Sequence, residues 1–87
     1  MYAILVYDFG EKRVAKACKF CKRYLNWVQN SVFEGELSES KLERVRSGLA
    51  AVLDLEQDSV LIYVLRDARW MERVTLGVEK LPISNIL

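Results

Sequence analysis

A chain of 87 residues is long enough for one small domain, and a core of that size is marginal unless something else covers it. With 52% apolar and 29% charged residues, the composition is that of a globular protein rather than a disordered one. The formal charge is +1 and histidine is absent, which removes Ser-His and Cys-His nucleophile systems and any imidazole metal site.

The first nine residues open the chain with eight apolar or aromatic side chains and one charge, Asp8. A short run rich in Ile, Val and Tyr, stopped by Gly10, predicts a strand buried on both faces. Asp8 falls at the carboxyl end of that strand. An ionised carboxylate needs a rim, a cation or a set of donors there, so Asp8 is either a loop or helix cap or a metal ligand.

Residues 11–26 predict a helix. Val14, Ala17, Cys18, Cys21, Tyr24 and Leu25 recur at three- and four-residue steps as its apolar stripe. Lys12, Lys16, Lys19 and Arg23 form a ridge at the same steps, with Glu11 as the segment's single acid. A helix surface so short of acidic partners is either a solvated face or a contact for phosphates. Cys18-Lys19-Phe20-Cys21 has the C-x-x-C form, but it lies within the helix rather than at its start, and both thiols fall on the apolar stripe. They read as core residues.

Residues 27–37 supply strand material, with Asn30-Ser31 as either a tight turn between two short strands or a bulge in one bent strand. Ser40-Lys41-Leu42-Glu43 has the capping-box pattern, with Ser38 as a second candidate cap. The helix that follows buries Leu42, Val45, Leu49, Val52 and Leu53, and Gly48 in its interior suggests a close neighbour. An acidic loop over residues 54–58 leads to a second strongly apolar strand at 59–65. A charged turn at 66–69, a shorter strand at 71–76 closed by Gly77, and a terminal strand at 83–87 complete the expected elements.

The order is that of a ferredoxin-like α+β sandwich, β-α-β-β-α-β, with extra C-terminal strands. Residues 1–77 are expected to form the domain and residues 78–87 a tail. Both helices cover one sheet face in that plan, yet the two apolar strands need cover on both. A twofold homodimer supplies it, with the terminal strand pairing onto the partner's sheet edge. The charge is also uneven: +4 over residues 1–33 and −4 over residues 34–58. One face is therefore expected to attract anions. No apolar run is long enough for a bilayer, Met1 already belongs to a strand, and two cysteines agree with a reducing compartment. The expected location is the cytoplasm, with no membrane partner. With no histidine and no glycine-rich phosphate loop, two Asp8 carboxylates meeting across the dimer suit a hard cation such as Mg²⁺, which would supply a metal-bound hydroxide.

The chain resembles the small CRISPR-associated "Cas-two" family, the partner of the CRISPR spacer integrase. The resemblance rests on Tyr7-Asp8 in the opening strand, Arg13-Val14-Ala15-Lys16 in the basic helix, the run Val28-Gln29-Asn30-Ser31-Val32-Phe33-Glu34-Gly35-Glu36-Leu37, and the strand that begins Asp58-Ser59-Val60. It covers nearly the whole chain. The resemblance implies a homodimeric Mg²⁺-dependent endonuclease of single-stranded RNA or double-stranded DNA, and a central dimer bridging two integrase dimers during spacer acquisition. It places the metal aspartate at Asp8 and supporting catalytic positions at Tyr7, Arg13, Ser31 and Phe33. Some members carry basic residues near the places of Glu11 and Trp27, where this chain does not. Nucleic-acid contact is expected from Lys12, Arg13, Lys16, Lys19 and Arg23. Two readings follow, an enzyme that cleaves phosphodiesters and a non-catalytic scaffold dimer that grips nucleic acid. A metabolite-binding regulatory domain is a third, which would lack the salt sensitivity of phosphate contacts.

Overall fold

The computed structural model describes residues 1–80. Six elements build the fold in the expected order: β1 (Tyr2–Asp8), α1 (Glu11–Cys21), β2 (Asn26–Gln29), β3 (Val32–Glu36), α2 (Glu39–Val52) and β4 (Ser59–Leu65), followed by one 3₁₀ turn, Ala68–Trp70. The sheet runs β2-β3-β1-β4 and every pairing is antiparallel. This is the ferredoxin-like α+β arrangement, with β1 in the interior of the sheet. Its central place follows from composition, because a strand apolar on both faces is most stable where both edges are paired.

The side-chain alternation of β1 divides the molecule. Ala3, Leu5 and Tyr7 point to the helices and join Ala17, Cys21, Leu25, Phe33, Leu37, Val45 and Leu49 in the buried core. Tyr2, Ile4, Val6 and Asp8 point the other way, in register with Leu65, Tyr63, Leu61 and Ser59 of β4. That second face is thinly covered. Leu61 and Tyr63 are 57% and 56% exposed, an apolar surface that a lone subunit leaves to water.

Several expected boundaries shift. α1 ends at Cys21 rather than running to residue 26, because Arg23 and Tyr24 donate to carbonyls three residues back and tighten the last turn. That tightening brings Leu25 into the core and lets Asn26 begin β2. Of the two alternatives for residues 27–37, two short strands joined by a turn are what forms, and a bulge at Asn30-Ser31 does not. Asn30-Ser31 is a tight turn, with Asn30 at φ 43° in the left-handed region that asparagine tolerates, and β2 also carries a register shift between Trp27 and Gln29. The cap of α2 is Ser38, whose Oγ accepts from the Lys41 amide at 3.2 Å, so the capping box expected at Ser40 does not form.

The strand expected at 71–76 is not formed: among the described residues this segment pairs with no strand. It passes by the open sheet face instead, where Arg73 pairs with Glu34 and, with Ile4 and Val28, lines a cavity of about 450 Å³. Beyond Met71 its apolar side chains have little cover among the described residues. Val74, Leu76 and Val78, alternating as in a strand, are 75%, 92% and 79% exposed. The reason is geometric: an added strand needs a free sheet edge, and this segment lies by the sheet's face. The terminal strand expected at 83–87 lies outside the described residues.

Gly48 has the close neighbour its position suggested. A Cβ there would sit 2.1 Å from the Phe20 ring of α1, so the glycine sets how closely the two helices pack. In an ordinary helix Gly→Ala is worth up to about 1 kcal/mol of added stability. Gly48→Ala is expected to destabilise by about 1–3 kcal/mol instead, because the ring must leave its rotamer or the helices must part. Urea unfolding reads the sign, and a gain in stability would contradict this packing.

Candidate functional site

The carboxyl end of β1 gathers most of the singled-out residues, but the sheet sorts them onto different sides. Asp8 is exposed on the open face, its backbone in register with Ser59. Among the described residues its carboxylate takes part in no hydrogen bond or ion pair, so both oxygens remain available to a cation.

Tyr7 faces the helices. Its hydroxyl lies 2.6 Å from Cys18 Sγ, and its ring packs against Phe9 edge-on at 5.5 Å and near Phe33 at 6.1 Å. Burial, reinforced by the Cys18 contact, pushes the Tyr7 phenol well above its usual range. Phe33 is fully buried in the same cluster. Ser31 meets the strand through its backbone, where its carbonyl accepts from the Tyr7 amide at 3.1 Å. These three residues therefore brace the strand that carries Asp8 and do not line an open pocket with it. Cys21 is fully buried, and burial with Cys18 nearby pushes its thiol up to about 11, as befits a core residue. Cys18, half-buried against Tyr7, belongs with it.

Arg13 is committed to a residue that sequence reasoning missed. Asp58, on the turn before β4, accepts from Arg13 Nε and Nη2, from the Gly10 amide at 2.8 Å and from the Asp54 amide at 2.8 Å. The guanidinium holds the Asp58 carboxyl well below the usual carboxylate range, and the Asp54 and Gly10 amides add to the effect against the opposing cost of burial. The same bond raises Arg13. Gly10 belongs at this place, since a Cβ there would stand 2.6 Å from Arg13 Nη2. The knot ties the loop after Asp8 to the root of the strand beside it. In the sequence Asp58 is one of three acids in an acidic loop, and only the pairing of Asp8 with Ser59 singles it out.

A second unanticipated cluster lies on the open face. Glu34 is buried there, bonded by Tyr2 Oη and Arg73 Nη2. Burial first, then the contact with Glu34, raises the Tyr2 phenol.

The basic ridge forms as its spacing indicated. Lys12, Lys16 and Lys19 are exposed along α1 and Arg23 in the turn that follows it, on the helix layer and away from Asp8's sheet face. The arrangement thus offers the Asp8 carboxylate at the strand end on the sheet side and a cationic helix on the other.

As for a metal, the described residues hold no group of three acidic or thiol side chains able to enclose an ion. Mg²⁺ asks for less, since it keeps several waters and takes one or two carboxylates with substrate phosphate. An exposed, unpartnered Asp8 fits that demand as half of a site. No helix among the described residues is long and apolar enough to cross a membrane.

Comparisons with known proteins bear on the chain's family. The family model described as CRISPR associated protein Cas2 matches residues 1–73. The chain is 51% identical to the CRISPR-associated endoribonuclease Cas2 of Pyrococcus furiosus over 87 residues, all of both chains. It is 46% identical to the protein of that name from Methanothermobacter thermautotrophicus, covering all of this chain and 96% of the relative. A solved structure titled as the crystal structure of cas2 superposes with a TM-score of 0.87 at 42% identity, covering 95% of this chain and 93% of that one.

Proposed function

The chain belongs to the CRISPR associated protein Cas2 family, and on that premise we propose that it is a nuclease of the CRISPR system, cleaving phosphodiester bonds of single-stranded RNA or double-stranded DNA with Mg²⁺. The observation that carries this reading is Asp8, an exposed carboxylate with no partner among the described residues, at the end of a strand whose outer face is thinly covered. Asp8 of each of two stacked subunits would hold the ion, which supplies a hydroxide and charge neutralisation when bound. Tyr7, Ser31 and Phe33 fix the strand, while Arg13, through Asp58 and Gly10, fixes the loop that follows. Lys12, Lys16, Lys19 and Arg23 attract the phosphate backbone.

The homodimer is part of the proposal. Exposed Leu61 and Tyr63 on the sheet, and the exposed alternation of Val74, Leu76 and Val78 after it, are what a second copy would cover, the tail of residues 78–87 adding to the partner's sheet. Sedimentation is expected to show a dimer at micromolar concentration, and Leu61→Glu with Tyr63→Glu to yield monomers. A wild-type monomer would sink the paired-carboxylate site.

A scaffold role, in which the dimer bridges two dimers of the CRISPR integrase during spacer integration, is favoured by a different observation: among the described residues no cluster of three acidic or thiol side chains supports Asp8, and Arg13 is already engaged by Asp58. Cleavage of labelled single-stranded RNA and duplex DNA tests the enzyme reading. Mg²⁺ is expected to support it, and excess chelator to abolish it and excess Mg²⁺ to restore it. Cleavage indifferent to chelator would refute the metal, and no cleavage of either substrate would leave the scaffold as the function.

A further inference from the structure

At the C-terminal end of the basic helix, Phe20 forms the floor of a depression of about 320 Å³, walled by Lys16, Lys19 and Arg23. Its lining is mainly carbon, so the lysine and arginine stems make the walls and their charged heads the rim. Tyr24 braces the Phe20 ring at 5.3 Å, and Gly48 of α2 gives it room to lie between the helices. One and two turns before Gly48, α2 adds two more exposed cations, Arg44 and Lys41. An aromatic floor inside a cationic rim suits a flat, apolar group flanked by negative charge.

Building on the nucleic-acid reading above, we propose that this depression seats one unpaired nucleobase against Phe20, with Lys16, Lys19 and Arg23 holding the phosphates on either side. A duplex cannot use such a seat, because its bases are stacked on one another and it presents only backbone to the ridge. The helix face is therefore selective for single-stranded nucleic acid, on the side of the molecule away from Asp8. The volume lies at the low end of the roughly 300–1,000 Å³ typical of small-ligand sites, which agrees with one base rather than several.

Anisotropy of three labelled probes of equal length tests this, in chelator to prevent cleavage: a single-stranded RNA, an abasic single strand and a blunt duplex. The wild-type protein is expected to bind the RNA about tenfold more tightly than the abasic strand, the worth of one stacked base. Phe20→Leu is expected to lose that margin while keeping its affinity for the abasic strand and the duplex, and Phe20→Tyr to retain it. Lys16→Ala is expected to weaken all three probes and to lower the salt slope by about one. Equal binding of RNA and abasic strand by the wild-type protein would overturn the base seat and leave phosphate binding intact. Absence of salt-sensitive binding to any probe would overturn the nucleic-acid reading itself, and the seat with it.

Discussion

Asp8→Asn is expected to lower phosphodiester cleavage by at least about a hundredfold while leaving the fold as stable as before. The two halves of that expectation have separate causes. The amide keeps the size of the side chain and one oxygen, but it carries no charge to hold a divalent cation against water. The fold should not respond, because Asp8 is exposed and partners no group among the described residues, and such surface changes stay within about 0.5 kcal/mol. Cleavage rates at saturating Mg²⁺, alongside thermal unfolding, check both. Spacer integration supplies the deciding third measurement. Integration surviving in Asp8→Ala without cleavage would make bridging the biological role, whereas loss of both in a well-folded dimer would favour the enzyme. Undiminished cleavage in Asp8→Asn would remove Asp8 from the chemistry.

Asp58→Ala is expected to be the most destabilising single change of a polar residue, lowering Tm by on the order of 10 °C at neutral pH. It strands the Arg13 guanidinium without its carboxylate and leaves the Gly10 and Asp54 amides without their acceptor. Because its carboxyl is held below the ordinary value of 3.8, Asp58 contributes its stability in full above that pH. The contribution fades as pH falls through the lowered value of the folded state. The Tm gap between wild type and Asp58→Ala is thus expected to be constant from pH 7 to about 5 and to narrow at more acid pH. A gap that ignored pH would show that packing rather than the ion pair is responsible. Arg13→Ala should mimic much of the loss, and the double variant should fall well short of the two effects added, since the pair acts as one unit. Reduced cleavage in Asp58→Ala below its melting temperature is expected too, because the loop after Asp8 is tied down through Gly10.

Much of this was legible in one dimension. The apolar runs in β1 and β4, the stripe of α1 and the cap-bearing start of α2 fixed the element order, and that order admits few sheet topologies. Asp8 was conspicuous as the sole charge in the first nine residues, and the basic ridge as a helix face short of acids. Boundaries were less legible. Tyr24 and Leu25 continue the helical spacing of α1, but the chain turns after Cys21 so that β2 can reach its place beside β3. Residues 71–76 read as a strand because their alternation is that of one, but the chain carries them past the open sheet face rather than along the edge at β2 or β4.

The sequence alone determined which segments are apolar, in what order, and which ionisable groups are available; hydrophobic periodicity is a local property, so this much needs no coordinates. Whether a given charge is free or spent was decided only by the tertiary structure. Asp8 and Asp58 stand fifty residues apart and look alike in composition, yet the pairing of β1 with β4 leaves one facing water and folds the other around Arg13. The same pairing puts Tyr7 and Asp8, neighbours in the chain, on opposite faces of the sheet, because side chains of a strand alternate. Long-range register assigns each group its surroundings, and surroundings set whether a carboxylate can take a cation or hold a loop.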